Sequence, residues 1–286
     1  EDKETFKETR WGLFHNDTGH IENSIKKLCE LLYKHFGVKP IVLIDEYDTP
    51  LIEAYTDGYW DEMITTCRQL FHITLKENDY LGRAIITGVT KVSKNSLFSD
   101  LNNLLVATVT DDIYTDCCGF TEQEVMDALK CQNIDDMKKV KEMYDGFIIG
   151  HQKDIYNPWS ITNYLKEKKL RAYWAATSSN GLVSRLIRTA SVDVKEKMED
   201  LLKGQEIVVN FDEQIVYNQL DQDENAIWSL LLASGYLKAD QVEYRGMLNK
   251  PWYHLTITNL ETESMFENMF AGWFKNQDAN YNDFVK

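Results

Sequence analysis

IVLIDEYDTP, residues 41–50, opens with four aliphatic residues and closes in acid. An unbroken run such as Ile41, Val42, Leu43 and Ile44 predicts a short strand buried on both faces, as in parallel sheets covered by helices. Asp45 and Glu46 then fall at the carboxyl edge of that sheet, where open α/β folds bind their ligands, and Asp48 with Pro50 turns the chain away. Carboxylates placed there suit a magnesium shell and the polarisation of an attacking water. The same acids also read as caps for a helix over Leu51 to Ala54, so the decapeptide alone leaves both meanings open.

The flanking segments build αβ units around this strand. Ile21, Ile25, Leu28, Leu32 and Phe36 recur at helical spacing, and Gly37 ends that helix just before Pro40. Tyr59, Met63, Cys67, Leu70 and Thr74 predict the next helix, and LGRAIITG, residues 81–88, the next strand. Two strands joined by such a helix imply a parallel crossover. Leu104 to Val109 is a third strand candidate. From Gly119 the pattern turns helical: Thr121 and Glu124 form a capping box, a helix follows over Ile134 to Tyr144, and Asn157 with Pro158 opens another. Further helices are expected near 182–189 and 192–202, with a short strand at 206–209. Near the end, a helix over Ile227 to Ser234, strands at 236–242 and 252–257 and a helix capped by Asn259 suit a winged-helix module.

With 286 residues, 43% of them hydrophobic, the chain can bury a large core. Its 46 acidic and 31 basic residues give a net charge of −15, which repels nucleic acid and anionic membranes. Lys138, Lys139 and Lys141 read as a solvated helix face, and the acids around the winged-helix-like segment favour protein packing over DNA. Five cysteines without CxxC spacing suit reduced, mostly buried thiols and a cytoplasmic location rather than zinc or disulfides. No apolar run is long enough to span a membrane.

An apolar strand closing on Asp-Glu is also how P-loop NTPases build a Walker B site. Taken in order, VLIDEYDTPL, TGVTKVSKNSLFSDLNNL, GFTEQEV, YDGF, YNPWSI, NYL, LLLASGYL and LTITNLETE resemble the AAA-ATPase-like proteins of bacteria and anaerobic fungi, across nearly the whole chain. The resemblance implies an α/β fold followed by a mainly α region. Residues 1–118 would form a P-loop-NTPase-like parallel sheet, 119–205 a helical lid and 206–286 a winged-helix-like part, often with a PD-(D/E)XK nuclease-like domain beyond. It further implies that Asp45 holds magnesium, Glu46 activates water, Thr87 senses the γ-phosphate, Lys91 and Lys94 reach phosphate, and Pro158 with Asn157 marks the lid.

The sequence departs from that family in one respect that bears on ATP. A Walker A loop ends in Gly-Lys-Ser/Thr, yet no Gly-Lys pair occurs here and no lysine precedes Ser or Thr. These residues alone are therefore expected to bind ATP weakly or not at all, either because an amino-terminal piece is missing or because the site has degenerated. No PD followed by ExK pattern is present, so nuclease activity is not expected from them. Three readings follow: an ATPase-like regulatory module using ATP and magnesium, a non-catalytic scaffold that binds a protein partner, and a hydrolytic metal site at Asp45, Glu46 and Asp48.

Overall fold

The computed structural model describes residues 7, 18–89, 97–98, 101, 104–175, 181–213 and 223–275. It is a mixed α/β chain with ten helices and three small sheets among those residues, one of them parallel. The chain divides into two compact units, residues 1–105 with 214–219 and residues 106–213 with 220–286.

In the first unit the order is α1 (Thr18–Phe36), β1 (Ile41–Ile44), α2 (Thr49–Asp57), α3 (Trp60–Leu75) and β2 (Arg83–Ile86). Gly37 ends α1 at φ 69°, its N–H donating to the Tyr33 carbonyl at 2.8 Å, a conformation that glycine adopts without a Cβ penalty. Asp61 and Glu62 in the first turn of α3 suit the positive end of its dipole. Leu51 and Ala54 of α2 and Ile64, Cys67, Phe71 and Leu75 of α3 are buried. β1 and β2 pair in parallel, with Ile41 opposite Arg83 and Ile44 opposite Ile86, as the crossover requires.

Burial of β1 on both faces does not hold. Ile41 and Leu43 are 62% and 72% exposed, and Ile85 of β2 is 60% exposed, whereas Val42 and Ile44 are half-buried. Alternation sends odd-numbered side chains to a face that no layer covers among the described residues. The strand expected at 104–109 is also absent. There Thr108 donates from both its N–H and its hydroxyl to the Asp111 carboxylate, each at 2.8 Å, and this local turn competes with extended pairing.

The second unit holds β3 (Phe120–Thr121), α4 (Glu122–Cys131), α5 (Met137–Tyr144), β4 (Phe147–Ile149), β5 (Gln152–Tyr156), α6 (Pro158–Glu167), α7 (Gly181–Thr189), α8 (Val192–Leu202), β6 (Ile207–Val209), α9 (Ala226–Ala233), β7 (Leu237–Arg245), β8 (Lys250–Ile257) and α10 (Leu260–Lys275). Two antiparallel sheets run in the orders β3-β5-β4 and β6-β8-β7. The Thr121–Glu124 capping box forms as expected. Val125, Leu129, Val140, Tyr144, Tyr156, Ile161 and Tyr164 make one core cluster. Helix α9 is apolar all round apart from Ser229 and accordingly buries Ile227 through Leu232.

Motifs scattered through the sequence meet inside this unit. The Glu261 carboxylate is fully buried at the start of α10 and accepts from the Ser160 hydroxyl at 2.8 Å, Tyr173 N–H at 2.6 Å and Trp174 N–H at 2.8 Å. Asn259 caps Thr262 at 3.1 Å and donates its side-chain amide to the Tyr144 carbonyl at 3.2 Å. Gly146 adopts φ 125° under the Thr258 carbonyl, leaving no room for a Cβ. Of the five cysteines only Cys29 and Cys67 are buried. All five are free thiols, but Cys117, Cys118 and Cys131 are exposed, against the expectation of mostly buried sulfurs.

Candidate functional site at the edge of the parallel strands

The site is built where β1 and β2 end together. Thr87 N–H donates to the Ile44 carbonyl at 2.8 Å and Tyr47 N–H to the Thr87 carbonyl at 3.0 Å, which carries the parallel pairing one step past both strands. That places Thr87 beside Asp45, and the Thr87 hydroxyl donates to Asp45 Oδ1 in a short hydrogen bond. The same oxygen accepts the Glu46 N–H at 3.1 Å. Asp45 is thus oriented by two donors, while both it and Glu46 remain exposed.

Glu46 takes φ 51°, a left-handed conformation that costs a non-glycine residue on the order of 1 kcal/mol and that clusters at functional sites. Its carboxylate accepts the Thr49 hydroxyl at 3.2 Å, and Thr49 N–H donates to the Glu46 carbonyl at 3.1 Å, so the turn into α2 fixes it from both ends.

Asp48 does not act as the helix cap that one reading of the sequence expected. It occupies the N-cap position without a side-chain capping bond. Instead, only 1% exposed, it accepts the Val89 N–H at 3.3 Å from the turn after β2. Gly88 lies against it: a Cβ there would come within 2.5 Å of the Tyr47 ring and 2.7 Å of Asp48 Oδ1. The sequence offers Asp48 as a turn residue, a helix cap or a metal ligand, but not as the buried partner of Val89, which lies 41 residues away.

The three carboxylates therefore diverge. Asp45 and Glu46 face solvent and Asp48 faces inward, and among the described residues no group of three His, Cys, Asp or Glu side chains is gathered to hold a metal. The self-contained metal-site reading loses its geometry on this observation. Two adjacent exposed carboxylates do fit a hydrated magnesium ion that takes its remaining oxygens from water and phosphate. Lys91 and Lys94 lie outside the described residues. Pro158 belongs to the second unit, at the first turn of α6, where the Asn157 side chain accepts Trp159 N–H at 2.9 Å and Ser160 N–H at 3.2 Å.

Comparison with known proteins places the site within a recognised segment. An uncharacterized protein from the vnfD 5′ region of Azotobacter chroococcum mcd 1 is 28% identical over 231 residues, 80% of this chain and 42% of its own length, so the chain spans about two fifths of that curated relative. No solved structure matches. Residues 2–98, which contain Asp45, Glu46 and Thr87, match the model of the AAA-ATPase-like family, described as predicted AAA-ATPase.

Proposed function

We propose that the chain is an ATPase-like regulatory module whose first unit supplies the magnesium and water half of a nucleotide site. The observation that carries this reading is the Thr87 to Asp45 hydrogen bond across the carboxyl edge of the two parallel strands, inside the segment matched to the family. In this reading Asp45 would hold the shell of a magnesium ion, which when bound would supply charge neutralisation for the transferring phosphoryl group. Glu46 orients the attacking water from its constrained turn, and Thr87 stands where a γ-phosphate would be sensed. A phosphate contact is assigned to Lys91 in the same reading. The Asn157–Pro158 helix start corresponds to the family's lid element, and α9, the β7–β8 hairpin and α10 correspond to a winged-helix-like part that meets a protein partner.

In the full-length gene product, Glu46→Gln is expected to keep nucleotide binding and slow hydrolysis by about a hundredfold or more. Unchanged turnover would remove Glu46 from the catalytic role. The second reading is a non-catalytic scaffold that binds a protein partner. Calorimetry separates the two, because micromolar magnesium-ATP binding by the chain would sink the scaffold.

A further inference from the structure

The second unit holds a compact charge cluster of its own. Lys141 of α5, expected on a solvated face, meets three carboxylates: Glu122 of α4 at 2.5 Å, Asp154 of β5 at 3.2 Å and Asp145, just past α5, at 3.6 Å. The Asp145 side chain is 13% exposed, and Lys141 bridges it to Asp154, which brings the two carboxylates to either side of one ammonium group. Asp145 Oδ1 is buried without a donor. Tyr156, fully buried, likewise leaves its hydroxyl without a partner, in the field of Asp145, Lys141, Glu122 and Asp154.

Two ionised carboxylates can only accept, so neither can satisfy the other. One proton between them changes that, because the protonated member donates and the like-charge repulsion disappears. Burial first, and Asp154 second, push Asp145 up to about 6, while Lys141, working against burial, holds Asp154 below the ordinary aspartate value. The other charges around the pair are Lys153 beside Asp154, and Glu142, Lys238, Asp240 and Glu263, which line an adjoining cavity of about 520 Å³. Asp145 also begins the corner that seats Gly146 under the Thr258 carbonyl and Phe147 against Gly235.

We propose that Asp145 and Asp154 share one proton and work as a proton-operated latch on the Asp145–Phe147 corner, seated when protonated and loosened when the proton leaves to solvent. An aspartate whose folded value is raised contributes stability that is complete below its unfolded value and is lost as pH rises through about 6. Local opening of the corner should therefore increase across that window and level off above it.

The test is a carboxyl-carbon NMR titration of the full chain from pH 4 to 7.5, with amide hydrogen exchange at Gly146 and Phe147 corrected for its intrinsic pH dependence. Asp145 should titrate near 6, and corner opening should rise by up to about tenfold per pH unit until it does. Asp154→Asn keeps the backbone tolerable, since residue 154 sits at φ 56° and asparagine accepts that conformation. In this variant the Asp145 midpoint should fall part of the way toward the ordinary aspartate range, because burial remains, and the pH dependence of exchange should weaken with it. An ordinary Asp145 midpoint in the unaltered chain, flat exchange across the titration, or an Asp154→Asn variant that leaves both unchanged would each overturn the latch.

Discussion

Replacing Gly88 with alanine tests whether the two strand ends are locked together as described. The added Cβ would lie 2.5 Å from the Tyr47 ring and 2.7 Å from Asp48 Oδ1, roughly 1 Å inside ordinary carbon contact. Neither neighbour can yield cheaply. The Tyr47 ring packs against Phe71 and Phe98 at centroid distances of 6.3 and 5.4 Å, and Asp48 is buried and holds Val89. Gly88 does not adopt a positive φ, so alanine meets a clash and no backbone penalty. Overpacking of this kind costs about 2–3 kcal/mol, concentrated in the first unit. Gly58→Ala supplies the complementary control. Gly58 sits at φ 84° with nothing within 4 Å, so alanine there pays only the left-handed penalty of about 1–2 kcal/mol. Urea denaturation, with hydrogen exchange of α2 and α3 assigning the transition to the first unit, gives both values. A Gly88→Ala variant within 0.5 kcal/mol of the unaltered chain would refute the idea that Tyr47 and Asp48 are fixed over the turn.

Glu261→Ala should cost about 3–5 kcal/mol by urea denaturation, because three donors, two of them backbone N–H groups, lose a buried carboxylate; a loss below 1 kcal/mol would mean that water replaces it. His254 of β8 lies 2.7 Å from Glu206 beside β6 and 3.2 Å from Glu243 of β7, and Glu206 foremost holds its pKa above the ordinary histidine value. The stability it confers is complete below the unfolded value and lost as pH rises through the folded one, so denaturation midpoints should decline from pH 6 toward 8.5, and His254→Gln should flatten that decline. Native thiol titration should find Cys117, Cys118 and Cys131 reacting promptly while Cys29 and Cys67 stay protected, with burial pushing Cys67 up to about 11; prompt reaction of Cys67 would contradict its packing.

Local chemistry was readable where one short segment contains its own cause. The capping box at Thr121, the Asn157–Pro158 helix start and the glycine stop at Gly37 are each complete within a few residues, and all three form. The pairing of β1 with β2 was equally accessible, since an apolar run, a helix and a second apolar run leave little choice. Depth of burial was not accessible, because Ile41 and Leu43 have the composition of a covered strand and lose their cover only when the neighbouring layers are placed. Asp48 and Glu261 were missed for a related reason: each depends on a partner 41 or about 90 to 100 residues away, a distance at which a carboxylate looks like any other surface acid. Lys141 is 43% exposed, as a solvated helix face requires, but the sequence did not show that Glu122 and Asp154 reach it from other elements, beside Asp145 four residues on.

The bare face of the parallel pair has a practical side at the bench. Ile41, Leu43 and Ile85 present aliphatic surface to solvent on a two-stranded ribbon, an arrangement that soluble proteins usually shield. An apolar dye such as ANS should brighten on the native chain at room temperature, before any unfolding. Sulfate should drive reversible clouding and cooling should clear it, because the attraction between such faces strengthens with excluded salts and fades in the cold. Substituting Leu43 with lysine should abolish both the brightening and the clouding while leaving the half-buried Val42 and Ile44 undisturbed.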